Sequence, residues 1–569
     1  MSIVNQKSVR LKRIPMIHMT EAYGWKKKSY PEMTIWFNGY LLGEYSFELL
    51  QKQLVVFCKK SNITTIELAN WIKKVRGHFS IVVKTKNWCF ATVDKVCSIP
   101  LFYAEIEDTV IISNNATIIK DKLSLDSHSF DASSILEISM SGYTIGSKTL
   151  YRDMKQLTAG ECVCIYDSCF TKQYYHTYSP WKVDIRNEPS LKNELTDVLL
   201  DVMNRLALSV KGNNIVVPLS AGYDSRLIAS GLKEVGVKDV LCISYGKEDS
   251  FEVLAAKDIA KKLGYDFKHV GYDSNYIRNY YNSNEYSKFK SCFDRYSSIE
   301  FIQDMSAISL MHENSGLDKN TIIINGMSGD YISGGHISHK FQKFLQNSNI
   351  SKFDRDNLFD IVMEEYIQKQ YGLWGSLINH NNKRKIIDNI FEFVDSRISD
   401  FNKIDNIYAI FEFLEFYGRQ SKFVVKGQEV YDYYGYGWRL PLWDPVFIDF
   451  WQSVPLGNKY TQKLYKDVLV ENNWGGVWSN IPLNEKKIQP RWIRPVRFFS
   501  KVLFSPLDKK YWHQFERNAL AYWMDDSYES SFYPYKRFLL DNRKHRNMLS
   551  FRAEDYIQKH ANVNLDSLK

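Results

Sequence analysis

Between residues 190 and 325 the sequence switches repeatedly between two hydrophobic periods, and this constrains the fold more than any other feature. LKNELTDVLLDVMNRLALSV carries apolar residues at helical spacing, and the strand-like run NNIVVPL follows it. Then come helix SRLIASGLKEVG, strand DVLCISY, helix EVLAAKDIAKKLG, strand FKHV, a helical stretch from about Ser298, and strand TIIIN. Strands that alternate with helices read as a doubly wound α/β fold around a parallel sheet.

The rest of the chain reads differently. Residues 1–180 are rich in strand patterns, TIWFNGYLLG, GHFSIVVKTKNWCFATVD, TVIISNN and GECVCIYD, and only ELANWIKKVRG is clearly helical. That composition predicts an α+β unit, sandwich-like in character. Thr177 to Asn187, with Pro180 and few apolar residues, reads as a linker, and beyond residue 340 the pattern is mainly helical. A chain of 569 residues is too long for one ordinary core, so the expectation is two domains, 1–180 and 190–569, the second with a helical C-terminal extension.

Charge and cysteine content narrow the function classes. A net charge of +9 over this length suits anionic small partners or a membrane surface, and it is too diffuse for a dedicated nucleic-acid binder. The eight cysteines form no CxxC pair. Cys162 and Cys164 alternate along one strand-like run with Cys169 just beyond, and they read as buried reduced thiols rather than a metal site. MSIVNQKSVRLKRIP has no apolar core of signal-peptide length, and no stretch approaches the roughly 20 apolar residues of a membrane span. The expected location is the cytoplasm.

The candidate chemistry sits where the run 214–219 enters Ser220-Ala221-Gly222-Tyr223-Asp224-Ser225 and a helix follows. A helix start exposes unpaired N–H groups and a positive dipole end, so an anion sits well there. Gly222 lets the backbone approach a phosphate, and Ser220 and Ser225 can donate hydroxyl hydrogen bonds. Asp224 would repel a phosphate unless a divalent cation bridges the two, so it implies Mg²⁺. There is no Lys placed as in a Walker-A loop. A second glycine-rich stretch, Asn325 to Gly335, follows TIIIN and carries Asp330, which could share the cation with Asp224.

These segments resemble the asparagine-synthetase family. SAGYDS resembles the SGGxDS loop of ATP pyrophosphatases, and NGMSGDYISGG resembles GEGxDExxGGY. Arg439-Leu440-Pro441-Leu442-Trp443-Asp444 with Ser453-Val454-Pro455 resembles RxPFLD…LP, a mostly structural signature. Near the N-terminus, WFNGY, GHFSIVV…VDKVCSIPLFY and GSKTLYRDMKQLTAGE resemble the fold signatures of a class II glutaminase domain. The resemblance implies an Ntn-hydrolase-like N-terminal sandwich and an ATP-pyrophosphatase domain. It implies a ligase that adenylates a carboxylate with ATP and Mg²⁺ and passes it to ammonia or an amine, with release of AMP and pyrophosphate. Leu219, Ser220, Gly222, Asp224, Ser225, Ser244 and Gly329 are the expected nucleotide-binding residues, and Asp224 and Asp330 the expected metal ligands. Lys486 or Lys487 falls where the family keeps a catalytic lysine.

The departures are as informative. The family's nucleophilic Cys follows the initiator Met; here that position is Ser2, and the Glu of NGE is Tyr40. A hydroxyl is a far weaker nucleophile than a thiol at neutral pH, so no ammonia release from glutamine is expected. Met327 and Tyr331 replace two family glutamates, which removes charge expected near an amino-acid substrate and argues against aspartate. Within the family, the chain looks closest to amidotransferase-like proteins of surface-polysaccharide biosynthesis, which implies a sugar carboxylate such as a uronic acid. The competing readings are a glutamine-dependent asparagine synthetase, a lasso-peptide-type cyclase, and a scaffold that binds nucleotide without turnover. His336 and His339 read as incidental to metal binding. Arg491 to Phe499 mixes cations with aromatics and reads as a helix packing its aromatic face while its arginines snorkel, in preference to membrane or nucleic-acid contact.

Overall fold

The computed structural model describes residues 14–60, 63–166, 169–314, 316–341, 355–398, 401, 404, 406–479, 490–504 and 506–569. Ser2, Lys486 and Lys487 lie outside them. The chain divides into two compact units, one made of residues 1–132, 146–177 and 294–297, the other of 133–145, 178–293 and 298–569.

The first unit holds two sheets. Six strands, in the order Cys169–Tyr174, Glu161–Tyr166, Trp88–Val93, Gly77–Thr85, Met33–Leu41 and Lys26–Ser29, pair antiparallel throughout. The second sheet has Ile14–His18, Thr109–Ser113, Phe102–Ile106 and Met154–Gln156, with its first pair parallel. Helices Phe47–Cys58 and Thr65–Ile72 bring Leu50, Leu54, Leu68 and Ile72 onto Ile35, Phe79, Ile81 and Phe90 of the larger sheet. Helix Thr65–Ile72 is the one the sequence announces, opened by a Thr64–Glu67 capping box. Helix Phe47–Cys58 is not announced, because its β-branched and aromatic end, LVVFC, masks the helical period. Asp94 ties the turn after Trp88–Val93, accepting from the amides of Phe79 (3.1 Å), Val96 (2.8 Å) and Ser98 (3.1 Å). Cys97, on the turn that Asp94 ties, sits at φ +53. Cys162 and Cys164 are buried free thiols, and Cys169 is exposed.

The second unit is built on five strands, all parallel, ordered Asp266–Val270, Val240–Tyr245, Asn214–Pro218, Thr321–Ile324 and Gly437–Arg439. The first four strands and the helices Glu188–Ser209, Tyr223–Glu234 and Phe251–Leu263 are those the alternating pattern marks. Asn187 caps the first of these through the Ser190 amide at 2.8 Å, where the irregular segment 177–187 ends. The fifth strand, of three residues, has no signal of its own; it pairs Ile322 with Gly437 and Ile324 with Arg439 from over a hundred residues away. The first strand in the chain has the second on one side and the fourth on the other, so the order reverses between them. In open sheets of this kind ligands bind beyond the carboxyl ends of the strands at such a reversal. Two loops emerge there, 219–225 and 325–330.

Helices 355–370 and 380–397 follow, with a π-helical stretch at Phe416–Phe423. Asp444 of the RLPLWD run is buried, takes two hydrogen bonds from Arg205 (3.0 and 3.1 Å) and caps helix Pro445–Ser453. Helix Ile493–Phe504 departs from expectation. Its aromatic face is not packed: Phe498 and Phe499 are each 65% exposed, and Ile493 is its buried side chain. Its apolar residues occupy a wider arc than the small cluster of Trp512, Phe515 and Leu520 that accepts Phe504 can cover.

Candidate active site

Strand Asn214–Pro218 delivers the loop, and Leu219 extends its register by donating to the Ile243 carbonyl at 2.7 Å. Ser220 and Ser225 then close the loop on itself. The Ser220 amide donates to Ser225 Oγ (3.0 Å), the two hydroxyls lie 2.9 Å apart, and the Gly222 amide donates to Ser220 Oγ (3.1 Å). Arg226, fully buried, donates to the Ala221 carbonyl at 2.7 Å and to the Val477 carbonyl at 3.2 Å. Helix Tyr223–Glu234 begins with Gly222 as N-cap, and no side chain caps it. Its first-turn amides therefore lack the usual intramolecular acceptor.

The second loop presses on the first at Asp224. A Cβ on Gly326 would lie 2.9 Å from the Asp224 carbonyl carbon. One on Gly329 would lie 2.5 Å from the Asp224 carboxyl carbon and 2.6 Å from Leu442. Neither glycine can be replaced without moving Asp224. The contact is completed by a hydrogen bond from the Asp330 amide to Asp224 Oδ2 at 2.8 Å, while Tyr465 donates to Oδ1 at 3.2 Å. Burial, with Asp330 next to it, pushes the Asp224 carboxyl up to about 8. Asp330 opens to the cavity. Burial would raise it, but His336, hydrogen-bonded at 3.1 Å, holds it below the ordinary range. His336 in turn is held between Asp330 and the buried Glu415, and these acids outweigh burial and raise it to about 9. His336 is thus part of the acid cluster, whereas His339 bonds Tyr460 at 2.5 Å.

Both loops border one cavity of about 940 Å³. Leu219, Ser220, Gly222, Asp224, Ser225, Ser244 and Asp330 line it together. Gly329 does not; it stands behind Asp224 as a spacer. Met327 also lines the cavity, whereas Tyr331 turns into the core and donates to the Glu412 carbonyl at 2.7 Å.

The cavity contains groups that the sequence does not announce. Glu252 accepts the Ala221 amide at 2.7 Å. Asp304 accepts from Tyr245 (2.6 Å), Asn325 (2.9 Å) and Tyr431, and burial raises it despite these donors. Asp525 and Asp526 come from residues far along the chain. Among the described lining residues, Lys466 is the cation; burial lowers its pKa, and it donates to the Thr461 carbonyl at 2.7 Å. Thr461 and Gln462 both sit at positive φ, +57 and +62, an uncommon pair of strained residues beside the cavity.

Among the described lining residues six carboxyl groups face one lysine, and this balance bears on what the cavity can take. Two like charges about 4 Å apart repel by about 4 kcal/mol near a protein surface. A helix N-terminus returns only about 0.3–1 kcal/mol to an anion. Any polyphosphate here would meet carboxylate repulsion that a divalent cation would relieve. Among the described residues no group of three or more His, Cys, Asp or Glu side chains is arranged to hold a metal ion alone. Asp224 and Asp330 fit a hard cation whose remaining ligands are phosphate and water oxygens, as is usual for Mg²⁺.

No family model matches the sequence, and no curated protein matches it. Two solved structures are similar at low levels. The first is that of the allosteric regulatory enzyme of purine biosynthesis, at 12% identity over 42% of this chain and 61% of that one, with a TM-score of 0.17. The second is glutamine phosphoribosylpyrophosphate (PRPP) amidotransferase from B. subtilis, complexed with ADP and GMP, at 10% identity over 54% and 59%, with a TM-score of 0.16. This chain spans about six-tenths of each of those proteins. Similarity at that level carries no argument about this chain's chemistry, which rests on the geometry of its own cavity.

Proposed function

We propose that this protein is an ATP-dependent carbon–nitrogen ligase. A carboxylate oxygen attacks the α-phosphorus of ATP, pyrophosphate leaves, and an acyl-adenylate forms. Ammonia or an amine then attacks the acyl carbon, AMP leaves, and the amide keeps the new bond. The observation that carries this reading is the meeting of Ser220–Ser225 with Asp330 across Asp224 in one cavity. The uncapped helix start and the Ser220 and Ser225 hydroxyls would hold pyrophosphate oxygens. Asp224 and Asp330 would hold Mg²⁺, which neutralises phosphate charge when bound. Lys466 would add a positive charge on the same wall. Lys486 or Lys487 keeps the catalytic role that the resemblance implies. Tyr465, Gly326 and Gly329 position Asp224 rather than touch substrate.

The carboxylate is proposed to be a uronic acid or a comparable sugar acid, with the nitrogen supplied as free ammonia or an amine. The test is a pyrophosphate-release screen over uronic and amino acids with ammonium, ATP and Mg²⁺. Release of pyrophosphate and AMP, stopped by Asp224→Ala, is the expected result. ADP and phosphate as products would refute adenylation, and tight ATP binding without turnover on any acid would favour a nucleotide-binding scaffold.

A further inference from the structure

The helix Ile493–Phe504 is the part of the second unit least explained by its own packing. On a helical wheel its residues separate into three faces. Ile493 and Phe504 face the protein, Phe504 packing at 5.3 Å from Phe515 and 6.4 Å from Trp512. Trp492, Val496, Phe499 and Leu503 fall one turn apart along a second face, widened by Phe498 and Val502. Leu503 is 77% exposed, and Val496, the least exposed of the six, is still 39% exposed. A globular protein seldom leaves an apolar strip this continuous in water.

The third face is cationic. From Pro490 to Pro506 there is no acidic residue; Arg494, Arg497 and Lys501 fall on this face, and Arg491 lies just before the helix. Arg497 bonds Glu516, and Arg491, Arg494 and Lys501 are exposed to solvent. Arg494 and Lys501 lie side by side on the wheel, along the border between the apolar strip and the protein-facing side. The helix is about 18 Å long by its residue count, too short to span a bilayer. Among the described residues no helix is long and apolar enough to cross a membrane. An apolar face of Trp, Phe and Leu flanked by Arg and Lys suits a helix lying in the headgroup layer of an anionic bilayer.

We infer that helix Ile493–Phe504 seats the protein on anionic lipid surfaces, with Trp492, Phe498, Phe499 and Leu503 entering the acyl boundary and Arg491, Arg494 and Lys501 meeting lipid phosphates. Charge complementarity selects this occupant over an uncharged apolar partner. The seat is close to the cavity along the chain: Trp523 meets Trp492 edge-on at 6.0 Å, and after one intervening residue come Asp525, Asp526 and Ser527, which line the cavity. The inference does not depend on the ligase reading.

The test is co-sedimentation of the full chain with vesicles of phosphatidylcholine alone and of an equal mixture with phosphatidylglycerol, at low and raised salt. The expected result is binding to the mixed vesicles, weakened by salt and small on neutral ones. Phe499→Ser with Leu503→Ser, and separately Arg491→Glu with Lys501→Glu, should each lower the partition coefficient about tenfold or more. All four side chains are exposed, so the melting midpoint should not move, which separates lost binding from lost folding. Equal binding to both vesicle types, binding that survives the apolar pair of substitutions, or no binding at all would overturn the inference. So would a dimer in light scattering that the apolar pair dissociates, since a second copy would then cover the face.

Discussion

The cavity at the sheet and the helix Ile493–Phe504 belong to one unit but carry opposite charge and hold it in opposite ways. In the cavity, carboxyl groups are crowded, partly buried and fixed by specific donors: Tyr465 on Asp224, His336 on Asp330, Tyr245 and Tyr431 on Asp304. On the helix, Arg491 and Lys501 are exposed beside apolar side chains that are themselves exposed. Buried like charges raise their own pKa values and make a site selective for what neutralises them. Exposed charges are screened by salt and worth little singly, so they act as a group on an extended surface. The cavity thus discriminates by geometry and the helix by charge density.

That contrast can be broken most severely at Asp224. Asp224→Asn keeps the shape and removes the ligand, and pyrophosphate release should fall by about a thousandfold or more. The same change should stabilise the unliganded protein. Because its folded pKa is raised to about 8 from an ordinary 3.8, Asp224 lowers stability progressively as pH rises through that window, and the cost is complete above it. A calorimetric scan above pH 8 should therefore show the Asn variant melting about 2 °C higher. An inactive variant that melts lower would mean that Asp224 serves the fold.

Next in size is Gly329→Ala. The added methyl would collide with the Asp224 carboxyl and Leu442, and the loop should retreat. Activity should drop about a hundredfold with a stability loss of about 1–3 kcal/mol, read from turnover and denaturant unfolding side by side. Unchanged turnover would show that the two loops need not touch.

The pH dependence of metal binding is a smaller effect with a firm sign. Below about 8 Asp224 holds a proton that a cation must displace, so Mg²⁺ affinity in the presence of ATP should weaken as pH falls from 8 to 6. Titration calorimetry in buffers of different ionisation enthalpy should detect protons released on binding. Lys466→Met should have the mildest effect, raising KM for ATP roughly fivefold with little change in kcat, because its charge is half-exposed and tethered to Thr461. A kcat loss larger than the KM change would move Lys466 into the transition state.

The parts of this picture that are local in the chain are legible in the sequence. The run from Asn214 to Pro218, the turn at Gly222 and the helix that follows announce themselves by period and by glycine placement, and Asp330 by the glycines around it. What is not legible arrives from a distance. Gly437–Arg439 is a strand only because Thr321–Ile324 offers a free edge, and three residues cannot show a period. Glu252, Asp304 and Asp525 are ordinary acids until the fold gathers them, and His336 gains its partner Glu415 only through packing. The exposed helix fails for a related reason: its pattern shows which residues are apolar, but not whether a neighbour exists to cover them.

The central claim is that an acidic cavity binds a polyanion through a cation shared by Asp224 and Asp330. Equilibrium dialysis of the full chain against labelled ATP, with Mg²⁺ and with excess chelator, tests it directly. The account predicts ATP retention with Mg²⁺, its loss on chelation, and its loss in Asp224→Asn under either condition. Retention that is equal with and without the metal, or that is untouched by the substitution, would contradict it.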